Sequence, residues 1–155
     1  MPCGPSGEEQ MVLIDSDVFI LDLFYPNDER ASANKTFIDL EHIDRVTTIF
    51  NVLEVCGIAS FNKSDEYLKK LFYAFHQTYN LQVLYPVAAQ RSSQAFLKDL
   101  VADAFAHILY KMNFNDALIL STGEAHDVSA LVTWNVKHFA ERTRIKVLNP
   151  EEFLA

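Results

Sequence analysis

Residues 11–20, MVLIDSDVFI, decide the architecture. Four apolar residues in a row, Met11 to Ile14, are too short for a helix and lack polar alternation, so they read as a strand buried on both faces. Asp15 stops the run, and from Ser16 to Phe24 the pattern turns helical. A carboxylate therefore stands where a buried strand hands over to a helix. The same event recurs down the chain. Residues 45–48 read as a second strand, followed by a helix over 49–61 with apolar residues at Ile49, Val52, Leu53, Cys56 and Ile58. Between these two strands a helix is expected over 27–41, with Pro26 near its start. A further helix, over 64–79, opens with the capped acidic turn SDEY. Residues 81–85 form a third strand ended by Pro86. A long amphipathic helix covers 92–112, and another covers 116–125 with Asn115 as its N-cap. A fourth strand spans 130–133, a helical turn 136–139 and a last strand 145–148. Pro150 then opens a terminal turn at PEEFL.

This alternation predicts an α/β fold with a mostly parallel sheet. A chain of 155 residues makes one domain with room for a sizeable core. A hydrophobic content of 50% with 12 Phe excludes a disordered chain. Only 4 glycines argue against a phosphate-binding loop, and a net charge of −8 argues against nucleic-acid binding through a broad basic face. That acidity leaves a metal-centred site open, because bound cations supply local positive charge. Residues 1–10, MPCGPSGEEQ, read as a flexible leader without the apolar core of a secretion signal. Cys3 and Cys56 are too few for a disulfide scaffold and read as free thiols in a reducing cytoplasm. Residues 46–62 are interrupted by Asn51 and Glu54, which argues against a membrane span.

In parallel sheets ligands bind at the carboxyl ends of the strands. Asp15 and Asn135 each fall at such an end, and Glu54 lies about 1.5 turns into the helix after the second strand. Together with Asp116 they form a set of oxygen donors drawn from distant segments, as a hard divalent cation such as Mg²⁺ or Mn²⁺ requires. Such an ion in a small α/β domain points to phosphodiester chemistry. Each residue also has a plainer reading. Asp15 caps a helix. Glu54 shares a solvated stripe with Asn51, although the apolar residues around it make an unpaired carboxylate there expensive. Asp116 answers a helix dipole, and Asn135 serves a turn. Asp17, Thr133 and His138 are auxiliary candidates beside the same rim. Glu124, Asp127 and Asp103 read as solvated. Lys69, Lys70, Arg142 and Arg144 read as solvated faces that would become phosphate contacts if nucleic acid binds.

Taken in order, VLIDSDVFI, TTIFNVLEVCGIASF and NDALILSTGEAHDVSALVTWNVKHF resemble the PIN-domain family of metal-dependent ribonucleases. The similarity runs from about Val12 to Leu148, and the size resembles the VapC-type toxins of VapBC toxin–antitoxin pairs. The resemblance implies a three-layer α/β/α domain over 11–155 and a Mg²⁺- or Mn²⁺-dependent endoribonuclease that leaves a 5′-phosphate and a 3′-hydroxyl. It implies site residues at Asp15, Glu54 and Asp116, with Asn135 where the family often has Asp, a departure that lowers the charge available to a second ion. Asp17 offsets that loss. It further implies RNA as substrate, a cognate antitoxin, and a homodimer, for which the aromatic segment 68–79 offers an apolar face that reads equally as intramolecular core. Two rivals remain. A haloacid-dehalogenase-type phosphatase would use Asp15 as nucleophile and Asp17 as acid/base, but Asp116 opens a helix where that family needs acids after a strand. A degenerate PIN domain would bind RNA or protein without cutting, which Asn135 and the overall acidity favour.

Overall fold

The strands lie where buried apolar runs occur: β1 (Met11–Ile14), β2 (Asp44–Thr48), β3 (Gln82–Leu84), β4 (Ala130–Val132) and β5 (Lys146–Leu148). In the computed structural model, which describes residues 10–88 and 92–155, they form one sheet in the order β3-β2-β1-β4-β5. Every neighbouring pair is parallel, which tightens the expectation of a mostly parallel sheet. The central strand β1 pairs Leu13 with Val46 on one side and with Leu131 on the other. The chain order reverses across β1, so this strand is the switch point whose carboxyl end opens a crevice.

The helices are α1 (Ser16–Phe24), α2 (Ala31–Ile38), α3 (Ile49–Ala59), α4 (Asp65–Thr78), α5 (Ser93–Ile108), α6 (Phe114–Ala125), α7 (Val136–Phe139) and α8 (Pro150–Leu154). They cover both faces of the sheet and complete a three-layer α/β/α sandwich. Alternate residues of β1 supply two cores. Val12 and Ile14 pack with Phe19, Phe37, Val52, Val55 and Phe75 on one face. Leu13 packs with Val46, Leu84, Ile119, Leu120 and Phe139 on the other. Phe19 sits 4.9 Å from the Phe75 ring and 4.7 Å from the Tyr79 ring, pairs worth about 0.5–1.5 kcal/mol each beyond their area burial. Gly123 lets α6 lie close on β1, since a β-carbon there would come 2.7 Å from Leu13 Cδ2.

Several expectations are corrected. The helix after Pro26 begins only at Ala31. Asp28 accepts hydrogen bonds from the Arg30 backbone N–H and guanidinium and holds residues 26–30 as turns. The N-cap of α6 is Asn113, whose side chain accepts from the Asp116 N–H at 2.9 Å; Asn115 lies inside the helix. The long helix ends at Ile108, and Lys111 turns the chain with φ 67°. Leu71, Phe75 and Tyr79 of the expected dimer face are buried in the first core. Cys56 is a half-buried free thiol, whereas Cys3 and the leader up to Glu9 lie outside the described residues. Among the described residues no helix is long and apolar enough to cross a membrane.

Candidate active site

At the carboxyl end of β1 the Asp15 N–H continues the ladder to the Val132 carbonyl at 3.0 Å. The Asp15 side chain then folds back as the N-cap of α1, where Oδ1 accepts from the Ser16 N–H at 2.8 Å. Capping and site formation are thus one geometry. Oδ1 also accepts from Asn51 Nδ2 at 3.1 Å, and Oδ2 accepts from the Thr133 hydroxyl at 2.7 Å. That hydroxyl lies 3.1 Å from Asp17 Oδ2 as well. One O–H carries one proton, so it can satisfy only one of the two carboxylates at a time. Asp17 Oδ2 compensates by accepting the backbone N–H groups of Trp134 and Asn135 at 2.9 and 3.1 Å. Its other oxygen, Oδ1, is buried without a hydrogen-bond partner among the described residues.

Glu54 joins this group from α3. It accepts a hydrogen bond from the Ser16 hydroxyl, which accepts in turn from Asn51 Nδ2 at 2.9 Å. Asn51 is fully buried rather than on a solvated stripe. Its Oδ1 closes a capping box with the Thr48 N–H at 3.0 Å, which aims the amide at Asp15. The electrostatics follow from crowding. Burial pushes the Asp15 carboxyl well above the usual range, and the charges of Asp17 and Glu54 push it further. Burial also raises Asp17, against the hydrogen bonds from Trp134, Thr133 and Asn135.

Asp116 occupies the third position of α6 and stands a little apart. Its Oδ2 accepts from Asn113 Nδ2 at 2.7 Å and lies 3.4 Å from His138 Nδ1. Burial raises its carboxyl, while His138, the Asn113 bond and Arg142 lower it. Asn135 reaches the rim through its backbone N–H, and the residue itself is exposed.

No protein-family model matches the chain, and no curated protein does. Solved structures do. VapBC-1 from nontypeable Haemophilus influenzae aligns with a TM-score of 0.62 and 18% identity over 92% of this chain and 99% of that one. A toxin–antitoxin complex from Klebsiella pneumoniae aligns at 0.58 and 21% identity, over 90% and 97%. Mycobacterium tuberculosis VapC20, a sarcin–ricin loop cleaving toxin, aligns at 0.57 and 13% identity, over 77% and 86%. The fold is PIN-like. At these identities the likeness concerns the backbone, and chemistry has to be argued from this chain's own side chains.

On this PIN-like scaffold Asp15, Asp17, Glu54 and Thr133 are joined by hydrogen bonds through Ser16 and Asn51, and Asp116 pairs with His138. Glu124 does not reach the rim, being engaged by His107 and Thr143. Asp127 and Asp103 are exposed. Nothing in the sequence marks Ser16, Asn51 or Asn113 as a site residue, because each looks like local turn or capping chemistry. The donor types suit a hard divalent cation: the atoms are oxygens, one buried Asp17 oxygen lacks a partner among the described residues, and Asp15 is crowded by negative charge. The acids are not gathered around one point, however. Among the described residues no three His, Cys, Asp or Glu side chains converge so as to hold an ion. Glu54 is turned to Ser16, and Asp116 to Asn113 and His138, each answered by its own neighbour.

Proposed function

We propose that the chain is a divalent-metal-dependent endoribonuclease and the toxin of a toxin–antitoxin pair. The observation that carries this reading is the buried Asp15–Asp17 pair sharing one Thr133 hydroxyl, with Glu54 one serine away, at the carboxyl end of a parallel sheet. Two crowded carboxylates with one proton between them are stabilised by a cation. The likeness to VapBC-1 and to a toxin described as sarcin–ricin loop cleaving supports this reading. For Asp15, Glu54 and Asp116 to hold Mg²⁺ or Mn²⁺, with Asp17 and Asn135 at its margin, Glu54 would turn from Ser16 and Asp116 from Asn113 and His138. When bound, such an ion acidifies a water and neutralises charge on the scissile phosphodiester. Thr133 and Asn51 orient the Asp15 carboxylate. His138, 3.4 Å from Asp116, would stand beside the leaving 3′-oxygen. In this reading an antitoxin from the same cytoplasm covers the rim. The chain pairs with a second copy through α5, where Leu97, Val101, Phe105 and Leu109 recur every fourth residue and are each more than half exposed.

The deciding experiment is cleavage of a labelled structured RNA by pure protein in Mg²⁺, Mn²⁺ or EDTA, with Asp15→Asn and Asp116→Asn alongside. Metal-dependent cutting absent from both variants is the expected result. Cutting that persists in EDTA or in the variants overturns the reading. A non-catalytic PIN domain is the second reading, favoured by the acids' failure to converge. It predicts no calorimetric signal with millimolar Mn²⁺.

A further inference from the structure

On the Asp116 side of the rim the surface changes character. Tyr110, Lys137, Ala140, Glu141 and Arg142 line a cleft of about 480 Å³ between the α5–α6 turn and the end of α7. Tyr110 is 67% exposed, and Phe114, two residues before Asp116, is 68% exposed. These large rings, one in the α5–α6 turn and one at the first position of α6, belong to neither core. Lys111 and Lys137 are exposed beside them, and His138 reaches from α7 to Asp116 at 3.4 Å. Arg142 staples the two walls. Its Nε donates to the Tyr110 carbonyl at 2.8 Å, and its Nη1 donates to the Lys137 and His138 carbonyls at 2.6 and 3.1 Å. Of its five N–H groups, the two on Nη2 make no hydrogen bond among the described residues. In a chain of net charge −8, Lys137 and Arg142 line this cleft with a single acid, Glu141, and the exposed Lys111 follows Tyr110 in the chain. Tyr110 and Arg142 also border a wider cleft of about 760 Å³, but Glu124 and Asp127 line it and offset Arg144.

We infer that this strip is the entry track for single-stranded RNA: Tyr110 and Phe114 stack successive bases, while Lys137, Lys111 and the Arg142 Nη2 group hold phosphates on the way to Asp116. Interleaved rings and cations are the recurring design for single strands, because every base has a face to stack and the backbone supplies the charge. A duplex keeps its bases stacked on one another and cannot offer them to these rings. The inference rests on the ribonuclease reading, and its test is built on binding so that the two can fail separately.

The test is fluorescence anisotropy of the full chain in EDTA with a labelled single-stranded oligoribonucleotide and its duplex. Wild type should prefer the single strand. Tyr110→Ala and Phe114→Ala should each weaken binding about tenfold or more, as lost stacking implies, and Tyr110→Phe should restore it. Lys137→Ala should lower the slope of log affinity against log salt by about 0.7, with Lys137→Arg as rescue. Equal affinity for wild type and all three alanine variants, duplex bound as well as single strand, or no RNA binding by wild type overturns the track. In the last two cases the exposed rings would belong to a protein contact. Binding through the strip without metal-dependent cutting would sink the nuclease reading and leave the track standing.

Discussion

Asp15→Asn is expected to stabilise the metal-free chain while abolishing its activity. In the folded chain burial raises the proton affinity of Asp15, and Asp17 and Glu54 add to it. Between the ordinary carboxylate value and the folded one, the native state holds more protons than the unfolded state. Stability therefore falls as pH rises through that interval, and the deficit persists at neutral pH. Asparagine has no charge to bury, and the hydrogen bonds survive the exchange. Oδ1 still accepts from the Ser16 N–H and from Asn51 Nδ2, now at 2.8 and 3.1 Å. The Thr133 hydroxyl, 2.7 Å from Asp15 Oδ2, can turn its proton to Asp17 Oδ2 at 3.1 Å and accept from the new amide. Each tenfold in proton affinity is worth about 1.4 kcal/mol, and one remodelled hydrogen bond about 1 kcal/mol. The expected net change at neutral pH is a gain in stability, read as a higher Tm, each kcal/mol of which is worth about 2–4 °C in a chain of this size. Calorimetric melting of both proteins in EDTA, from about pH 8 down to about pH 4, should show a gain that shrinks on acidification. With Mn²⁺ the order should reverse, because ligand at a hundred times its Kd stabilises the wild type by about 2.7 kcal/mol. A variant that melts below wild type in EDTA at neutral pH, or a gain indifferent to pH, refutes charge crowding at Asp15.

Asn51→Ala removes the return half of the α3 capping box and strands buried groups on Thr48 and Asp15, so urea unfolding should show a loss of about 2–4 kcal/mol; a loss under 1 kcal/mol would mean water replaces the amide. Phe75→Ala empties the ring cluster with Phe19 and Tyr79 and should cost about 3–5 kcal/mol in the same assay. His138→Ala removes a neighbour that lowers Asp116, so the acidic limb of the pH–rate profile should move to higher pH, and an unmoved limb would separate His138 from that carboxylate. Asn135→Asp adds charge at an exposed position and should tighten Mn²⁺ in calorimetry while shifting stability by no more than about 0.5 kcal/mol; an unchanged affinity would place residue 135 away from the ion.

The layered architecture was legible in the chain because a strand buried on both faces must be apolar at every position, as Val12, Leu13 and Ile14 are, and so cannot imitate a loop or a one-sided helix. Asp15 was legible for the same reason, as the charge that ends such a run. Helix ends were less so. The sequence pattern points to Asn115 as the cap of α6, whereas the cap is Asn113, which places Asp116 in the third position of the helix. What only the tertiary structure decided is which polar groups meet. Asn51 bonds Asp15 across 36 residues, and Thr133 reaches it across 118. No local pattern marks either bond, because a cap and a site ligand use the same short polar side chains. The parallel register of β1 between β2 and β4 brings Asp15, Asn51 and Thr133 to one end of the sheet. There burial turns ordinary turn chemistry into a crowded pair of carboxylates.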